Sequence, residues 1–431
     1  MLQAVPSPGA PPANLAAVCP FGEDTANEDQ IGDQLFAGIG KRHAGIGYHL
    51  STSAGYVVEG SYRDSGSSGG FGTWLQCEFL KRGLVDHVIN IQPCEPTNDD
   101  PRMFRYAVAS TEAEIARGAK SRYYPVELSE VLRTVRAQPG RYLLVGLPCF
   151  VKAARLLCRQ DEILSGRLRF FIGLVCGHLK STRFAEFLGW QMGVPPGELT
   201  GFDFRKKLSG WPASQYGLEA WRRGVPGSTA STTPARDLLG QDWGHGFFKY
   251  KACDFCDDVV AETADVSVGD AWLPPYVNDS RGTNVLVVRS RQVQELLDSA
   301  ATAGRIHLEA ISPEDVARSQ DASMRHRRDG LRYRLFLAQR RGEWHPPKRV
   351  APGKYHLPSW DRAKFRLREQ LRDLSHAAYA GARLTGRLDS FSQTMNAAVD
   401  DYRARIRPRL WGRLMRRSRL AGRALLSLLR P

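Results

Sequence analysis

Cys253 and Cys256 make the one Cys-x-x-Cys of the chain, within KACDFCDDVVAETADVSVGDAW, residues 251–272. Two thiols at this spacing share one tight turn, which suits a metal, a cluster or redox chemistry. An acidic pair, Asp257 and Asp258, follows at once, and the alternating run Ala264 to Val268 ends in Gly269-Asp270. Two further cysteines stand where an apolar run ends in a turn: Cys149 in LLVGLPC and Cys176 in FFIGLVCG. Strand ends of α/β sheets are where sites assemble, because the loops there converge on one edge. Four thiolates gathered in this way can hold tetrahedral zinc or a 4Fe-4S cluster, and the spacing does not choose between them. The bland alternative is packed free cysteines with an incidental Cys-x-x-Cys. A thioredoxin-type pair fits less well, since no strand leads straight into it and acids follow.

A second candidate is SGSSGGFG, residues 65–72, which turns into a helix with Trp74, Leu75, Phe79 and Leu80 on its apolar side. No Lys follows the glycines, so it is not a phosphate loop of the Gly-Lys-Ser/Thr type, and it matches the dinucleotide pattern poorly. It offers backbone amides at a helix start, useful to a phosphate or a flavin ring. Taken alone it is an ordinary helix N-terminus. For proton chemistry the candidates are His178, directly after Cys176-Gly177, and Lys120. Each has a structural reading beside the catalytic one.

The elements that must position these residues alternate strand, turn and helix. Strands are expected at 55–60, 85–91, 103–109, 142–145, 169–175, 201–204 and 282–290, and helices at 151–158, 181–191 (with Ser181 as N-cap) and 292–303. The pattern predicts an α/β protein: a two-lobed body with mixed sheets and a mostly helical, basic C-terminal tail. The expected divisions are a disordered 1–18, an N-terminal lobe at 19–138, a lobe carrying the cysteines at 139–310, and the tail at 311–431. Residues 212–240 read as a long polar excursion.

Composition supports a folded protein, with 42% hydrophobic and 24% charged residues in 431. No signal peptide and no spanning helix are expected, which makes the cytoplasm the default compartment and metal or redox chemistry more natural than disulfides for eight cysteines. The net charge of +15 is uneven: from Arg325 onward there are 27 basic residues against 8 acidic ones. The final helix expected, 408–429, is basic and amphipathic. It reads as contact with an anionic membrane surface on the inner side, with an acidic partner or docking on its own body as the other readings. No nucleic-acid fold accompanies the charge, so nucleic acid is not an expected partner.

Read in order, SSGGFGTWLQCEFLKRGLVDHVI, GAKSRYYPV, VGLPC, GLVCGHLKS and CDFCDDVVAETADVSVGDAW resemble the coenzyme F420 hydrogenase/dehydrogenase beta-subunit family, over about 19–304. The resemblance implies an oxidoreductase with FAD and one 4Fe-4S cluster, passing electrons between a ferredoxin-like or other electron-transfer protein and a small organic acceptor. It implies Cys149, Cys176, Cys253 and Cys256 as cluster ligands, Ser68, Gly69, Gly70 and Thr73 against the flavin, and Gly118, Lys120 and Tyr123 near it. The sequence departs from the family pattern at Ser121 and Arg122, inserted in that last segment, and before Cys19, where a second cluster's cysteines are missing. Cys77, Cys94 and Cys158 match no family ligand. A non-catalytic, metal-stapled scaffold in cell-surface polysaccharide assembly is the alternative.

Overall fold

A computed structural model describes residues 15–224 and 232–406. The elements that build the site run in chain order as follows. Helix α1 (Glu28–Phe36) is followed by strand β1 (Ser51–Val57), helix α2 (Phe71–Lys81), strands β2 (His87–Pro93) and β3 (Phe104–Ala109), and β4 (Tyr142–Gly146). Then come α3 (Pro148–Cys158), β5 (Leu168–Leu174), α4 (Thr182–Gln191), β6 (Leu199–Lys206), β7 (Gly217–Arg222), β8 (Val266–Asp270) and β9 (Asn284–Val288). The chain continues through α5 (Arg291–Thr302), β10 (Ile306–Ala310), α6 (Pro313–Ser319), α7 (Asp321–Arg327), α8 (Asp329–Arg340), α9 (Ser359–Thr385) and α10 (Leu388–Ile406).

Eight strands form one mixed sheet in the order β10-β1-β9-β8-β5-β4-β2-β3. The central four, β8, β5, β4 and β2, are mutually parallel, and antiparallel strands flank them on both sides. Buried parallel strands read as unbroken apolar runs, and YLLVG of β4 is buried at every position. One face of the sheet carries Phe71, Trp74, Leu75 and Phe79 of α2 with Leu296 and Leu297 of α5. The other carries Val151 and Ala154 of α3. The expected α/β architecture is present, with a helical C-terminal region. The sheet takes strands from both sides of the expected division at 138/139, because β2 pairs with β4 across it.

A smaller antiparallel sheet joins β6, at the strand expected over 201–204, to β7 and the short strand Thr233–Pro234, which both arise inside the stretch read as a polar excursion. Its core is aromatic: Phe184, Phe187, Phe202, Phe204 and Phe248 pack with Tyr379 of α9 and Phe391 of α10. The basic C-terminal region is therefore docked on the body as far as residue 406. The expected helix at 408–429 lies outside the described residues. Leu15–Val18, in the segment expected to be disordered, is a short helix. Among the described residues no helix is long and apolar enough to cross a membrane.

Candidate functional site

The parallel strands β4 and β5 are neighbours, so their C-terminal ends release the chain at the same sheet edge. After β4, Leu147 leads into α3 with Pro148 at its first position, and Cys149 lies in that first turn. After β5, Cys176 follows Val175, and its amide donates to Val259 O (3.0 Å). That bond draws the segment after Cys256 against the β5 turn. A 3-10 turn, Lys251–Phe255, presents Cys253, whose Sγ accepts from the amide of Leu179 (3.3 Å). The four cysteines named from the sequence thus stand on neighbouring turns, and each is a free thiol.

Electrostatics shows the same proximity. Burial pushes the Cys149 thiol well up, and Cys256, Cys176 and Cys253 add to the rise. Burial likewise takes Cys176 to about 11 and Cys256 to about 12, with Arg327 opposing in both. Thiols held this way stay protonated until a metal displaces their protons. Among the described residues no three Cys, His, Asp or Glu side chains converge as ligands of a single ion. The donor set is four soft sulfurs, a set that suits zinc or an iron-sulfur cluster.

Charged groups brace the thiols, and most come from the C-terminal region. Asp254, between the two knuckle cysteines, takes Lys249 and Arg372 as ion partners, while its carbonyl accepts from Arg334 Nε (2.8 Å). Asp257 and Glu262 take Arg349, which also reaches Asp29 of α1 (3.0 Å). Asp258 caps its own turn, Oδ1 accepting from the amide of Val260 (3.0 Å) and Oδ2 from that of Glu262 (2.9 Å). The acidic pair of the sequence is therefore anchoring, not ligating. The basic segment read as a tail is partly interior: Arg327, Arg334, Arg349 and Arg372 all point into the body.

Beside the thiols lies a cavity of about 810 Å³, at the C-terminal edge of the parallel strands. The size falls in the range of cofactor sites. Ser67, Ser68, Gly70, Gly72 and Thr73 line it from the loop and α2; Gly118, Lys120 and Tyr123 line it from the segment after β3. The amide of Ser121 donates to Ser67 Oγ (2.8 Å) and so ties the two segments together. Gly69 is turned away from the cavity: a Cβ there would meet Gly55 O at 2.7 Å and Asn284 Oδ1 at 2.8 Å. Gly70 has φ +93°, and a Cβ would stand 2.8 Å from Arg63 N. The expected result of Gly70→Ala is a loss of about 1–3 kcal/mol in urea unfolding, from strain and the backbone clash together.

Lys120 is a non-glycine residue with φ +86°, and its Nζ pairs with Asp203 Oδ2 (3.0 Å). The Tyr123 hydroxyl accepts from Arg205 Nη1 (3.2 Å), which also pairs with Asp270 Oδ2 (3.1 Å). His178 packs against Trp243 with ring centroids 4.6 Å apart, and Tyr123 meets the same ring at 4.7 Å. Burial, with Lys180 and Lys249 nearby, pushes the His178 pKa well down, so the ring is neutral. Its Nε2 is buried without a partner, as are Arg122 Nε, Arg205 Nε, Gln241 Nε2 and His326 Nε2, and all five residues line the cavity. Buried polar atoms in native proteins are nearly always paired. These atoms, apart from His326 Nε2, which stands 3.7 Å from Asp254 Oδ1, leave the cavity wall able to bond a polar ligand.

Sequence reasoning missed Arg205, Trp243, His326 and Arg327. The Gly-flanked aromatic run GQDWGHGFF, residues 240–248, is the signal that finds Trp243. Nothing in the local sequence singles out Arg327 among its basic neighbours.

An α/β sheet thus carries a large cavity and four thiols along one edge. Two family models match the chain, both described as "Coenzyme F420 hydrogenase/dehydrogenase, beta subunit": the N-terminal one over 52–133 and the C-terminal one over 140–314. The chain belongs to this family of oxidoreductase beta subunits. An uncharacterized protein of Methanocaldococcus jannaschii is 23% identical over 249 residues, 56% of this chain and 80% of its own length. A chain of the F420-reducing NiFe hydrogenase complex from Methanosarcina barkeri is similar at 17% identity, covering 67% of this chain and 92% of that one, with a TM-score of 0.49.

Proposed function

We propose that the chain is a flavin- and iron-sulfur-dependent oxidoreductase, with FAD in the cavity and one 4Fe-4S cluster on Cys149, Cys176, Cys253 and Cys256. The observation that carries this reading is a shared wall. Gly146 and Leu147 line the cavity one residue short of Cys149, with Pro148 between, and Gly177, His178 and Leu179 line it immediately after Cys176. Each turn thus serves both sites, and a ligand in the cavity stands one turn of chain away from the thiols. A flavin exchanges two electrons with an organic substrate and releases them singly, and a cluster is its one-electron partner.

The chain's own residues have separable tasks in this reading. Ser67, Ser68 and the α2 N-terminus hold the polar end of the ligand, where helix amides favour an anion. Lys120 fixes Asp203, and through the Arg205 carbonyl (3.3 Å) it fixes the strand that carries Arg205. Arg205 itself holds Tyr123 and Asp270 at the cavity wall. His178, neutral and unpaired, is the group placed to hold or accept a hydrogen bond on the ligand's face beside Trp243. Electrons enter or leave through a protein carrier, and the acceptor is a small organic molecule.

Purification of the full chain without oxygen tests this. Stoichiometric flavin with about four irons and four acid-labile sulfides per chain is expected. Colourless protein carrying zinc would sink the reading and favour a metal-stapled scaffold.

A further inference from the structure

We infer that Arg327 sets the reduction potential of the centre on the four cysteines, by placing one positive charge, free of any carboxylate ion pair, against the ligand sulfurs. The inference rests on the cluster reading above and concerns a residue beyond the matched family segment, which ends at 314.

Arg327 is 1% exposed, and its guanidinium lies among the thiols. Nη1 donates to Cys256 Sγ and to the Asp258 carbonyl. Nη2 donates to Cys176 Sγ (3.6 Å) and to Gly177 O (2.9 Å), and Nε also reaches Gly177 O (3.3 Å). The two carbonyls belong to residues just after two of the proposed ligands, so the turns that carry the sulfurs also aim the guanidinium. A second tether is the start of α7: Gln320 Nε2 donates to Asp270 O (2.7 Å), fixing the helix at the end of β8.

Contact with sulfur separates Arg327 from the other buried cations: Lys180 and Arg289 also lack a carboxylate ion pair, but their hydrogen bonds go to carbonyls and the Ser267 hydroxyl. Lys249, Arg334 and Arg372 share Asp254, and Arg349 has Asp257 and Glu262. Among the ion pairs of the described residues Arg327 has no carboxylate; its donors go to two carbonyls and two sulfurs. A buried guanidinium without an ion-pair partner is costly, and cluster-bound sulfurs, once deprotonated, would supply the negative charge beside it. Reduction adds one more negative charge to such a centre. A fixed cation and N–H···S bonds stabilise the reduced state more than the oxidised one, which raises the potential.

The test compares wild-type protein with R327M, R327Q and R327K, each as the full chain purified without oxygen. Iron and sulfide content, circular dichroism and an EPR-monitored redox titration are measured. Loaded R327M is expected to titrate at lower potential by at least tenfold in the one-electron equilibrium, ~59 mV. R327K, keeping the charge but not the forked donor, is expected between R327M and wild type. Loss of iron from R327M and R327Q with R327K still loaded and shifted also supports the assignment. A loaded R327M at the wild-type potential overturns it, as does loss of iron from all three variants alike. Iron-free wild-type protein would instead refute the cluster reading itself.

Discussion

Replacing Asp254 by alanine lowers the unfolding free energy by about 3–5 kcal/mol, the range for removing one partner of a buried ion network. The carboxylate is 1% exposed and stands between Cys253 and Cys256. It neutralises Lys249 and Arg372, with Arg334 Nε at 3.8 Å and His326 Nε2 at 3.7 Å from Oδ1. Taking it away leaves three buried cations facing one another, and the total stability of a domain is only about 5–15 kcal/mol. Asp254→Asn preserves the shape and is expected to cost less; adding Lys249→Met is expected to restore part of the loss. Urea-unfolding midpoints read all three, and a midpoint of D254A within error of wild type would refute the account. Burial alone raises the Asp254 pKa, but Lys249, Arg334 and Arg372 more than reverse this and hold it below the usual carboxylate range. The unfolded chain therefore binds the proton more tightly. The stabilisation is present above the ordinary carboxylate pKa near 3.9 and is lost as pH falls through the depressed folded value.

What the sequence made legible was whatever local pattern encodes. The parallel strands are mostly apolar runs, unbroken in Tyr142–Gly146 and interrupted by Arg169 in Leu168–Leu174, and both stand where their runs predict. The turns that follow them carry cysteines, and parallel pairing of β4 with β5 puts those turns at one edge. Ser181 occupies the expected N-cap position of α4, though its hydroxyl makes no capping bond. The fine structure of the glycine loop was less legible. Gly70 and Gly69 read alike in sequence, yet one lines the cavity and the other faces the β1–β9 backbone.

The illegible part was long-range and electrostatic. The 27 basic residues from Arg325 onward look like a solvated arm when counted, because counting ignores where the acids of the body lie. Folding brings Asp254, Asp257 and Glu262 under that segment, and four of its arginines turn inward to meet them or the thiols. The cavity wall has the same character: Lys120, Asp203, Arg205 and Asp270 come from segments distant in sequence, and only the β6–β7 sheet joins them. Residues 212–240 hid the two partners of β6 in that sheet, because these strands are short and separated by polar turns.

Cys253→Ala is expected to remove nearly all the iron and sulfide while leaving flavin bound. The two sites share turns but not ligands. The cavity is walled by α2, the segment 118–126, Trp243 and the strand ends, and the Cys253 side chain touches this wall through a single hydrogen bond from the Leu179 amide. The cluster has no such redundancy, since loss of one of four sulfurs leaves an iron without a protein ligand. Iron is expected to fall from about four per chain to well below one, with the flavin absorbance per chain unchanged. Cysteines outside the group serve as controls. Cys94 donates to Arg102 O (3.1 Å), and Cys77 is buried within α2 beside Tyr62, so C94S and C77S are expected to keep full iron. Stoichiometric iron and sulfide in C253A would refute the ligand set. Flavin lost together with iron would show instead that the shared turns at Cys176 and Leu179 require the centre in order to hold the cavity wall.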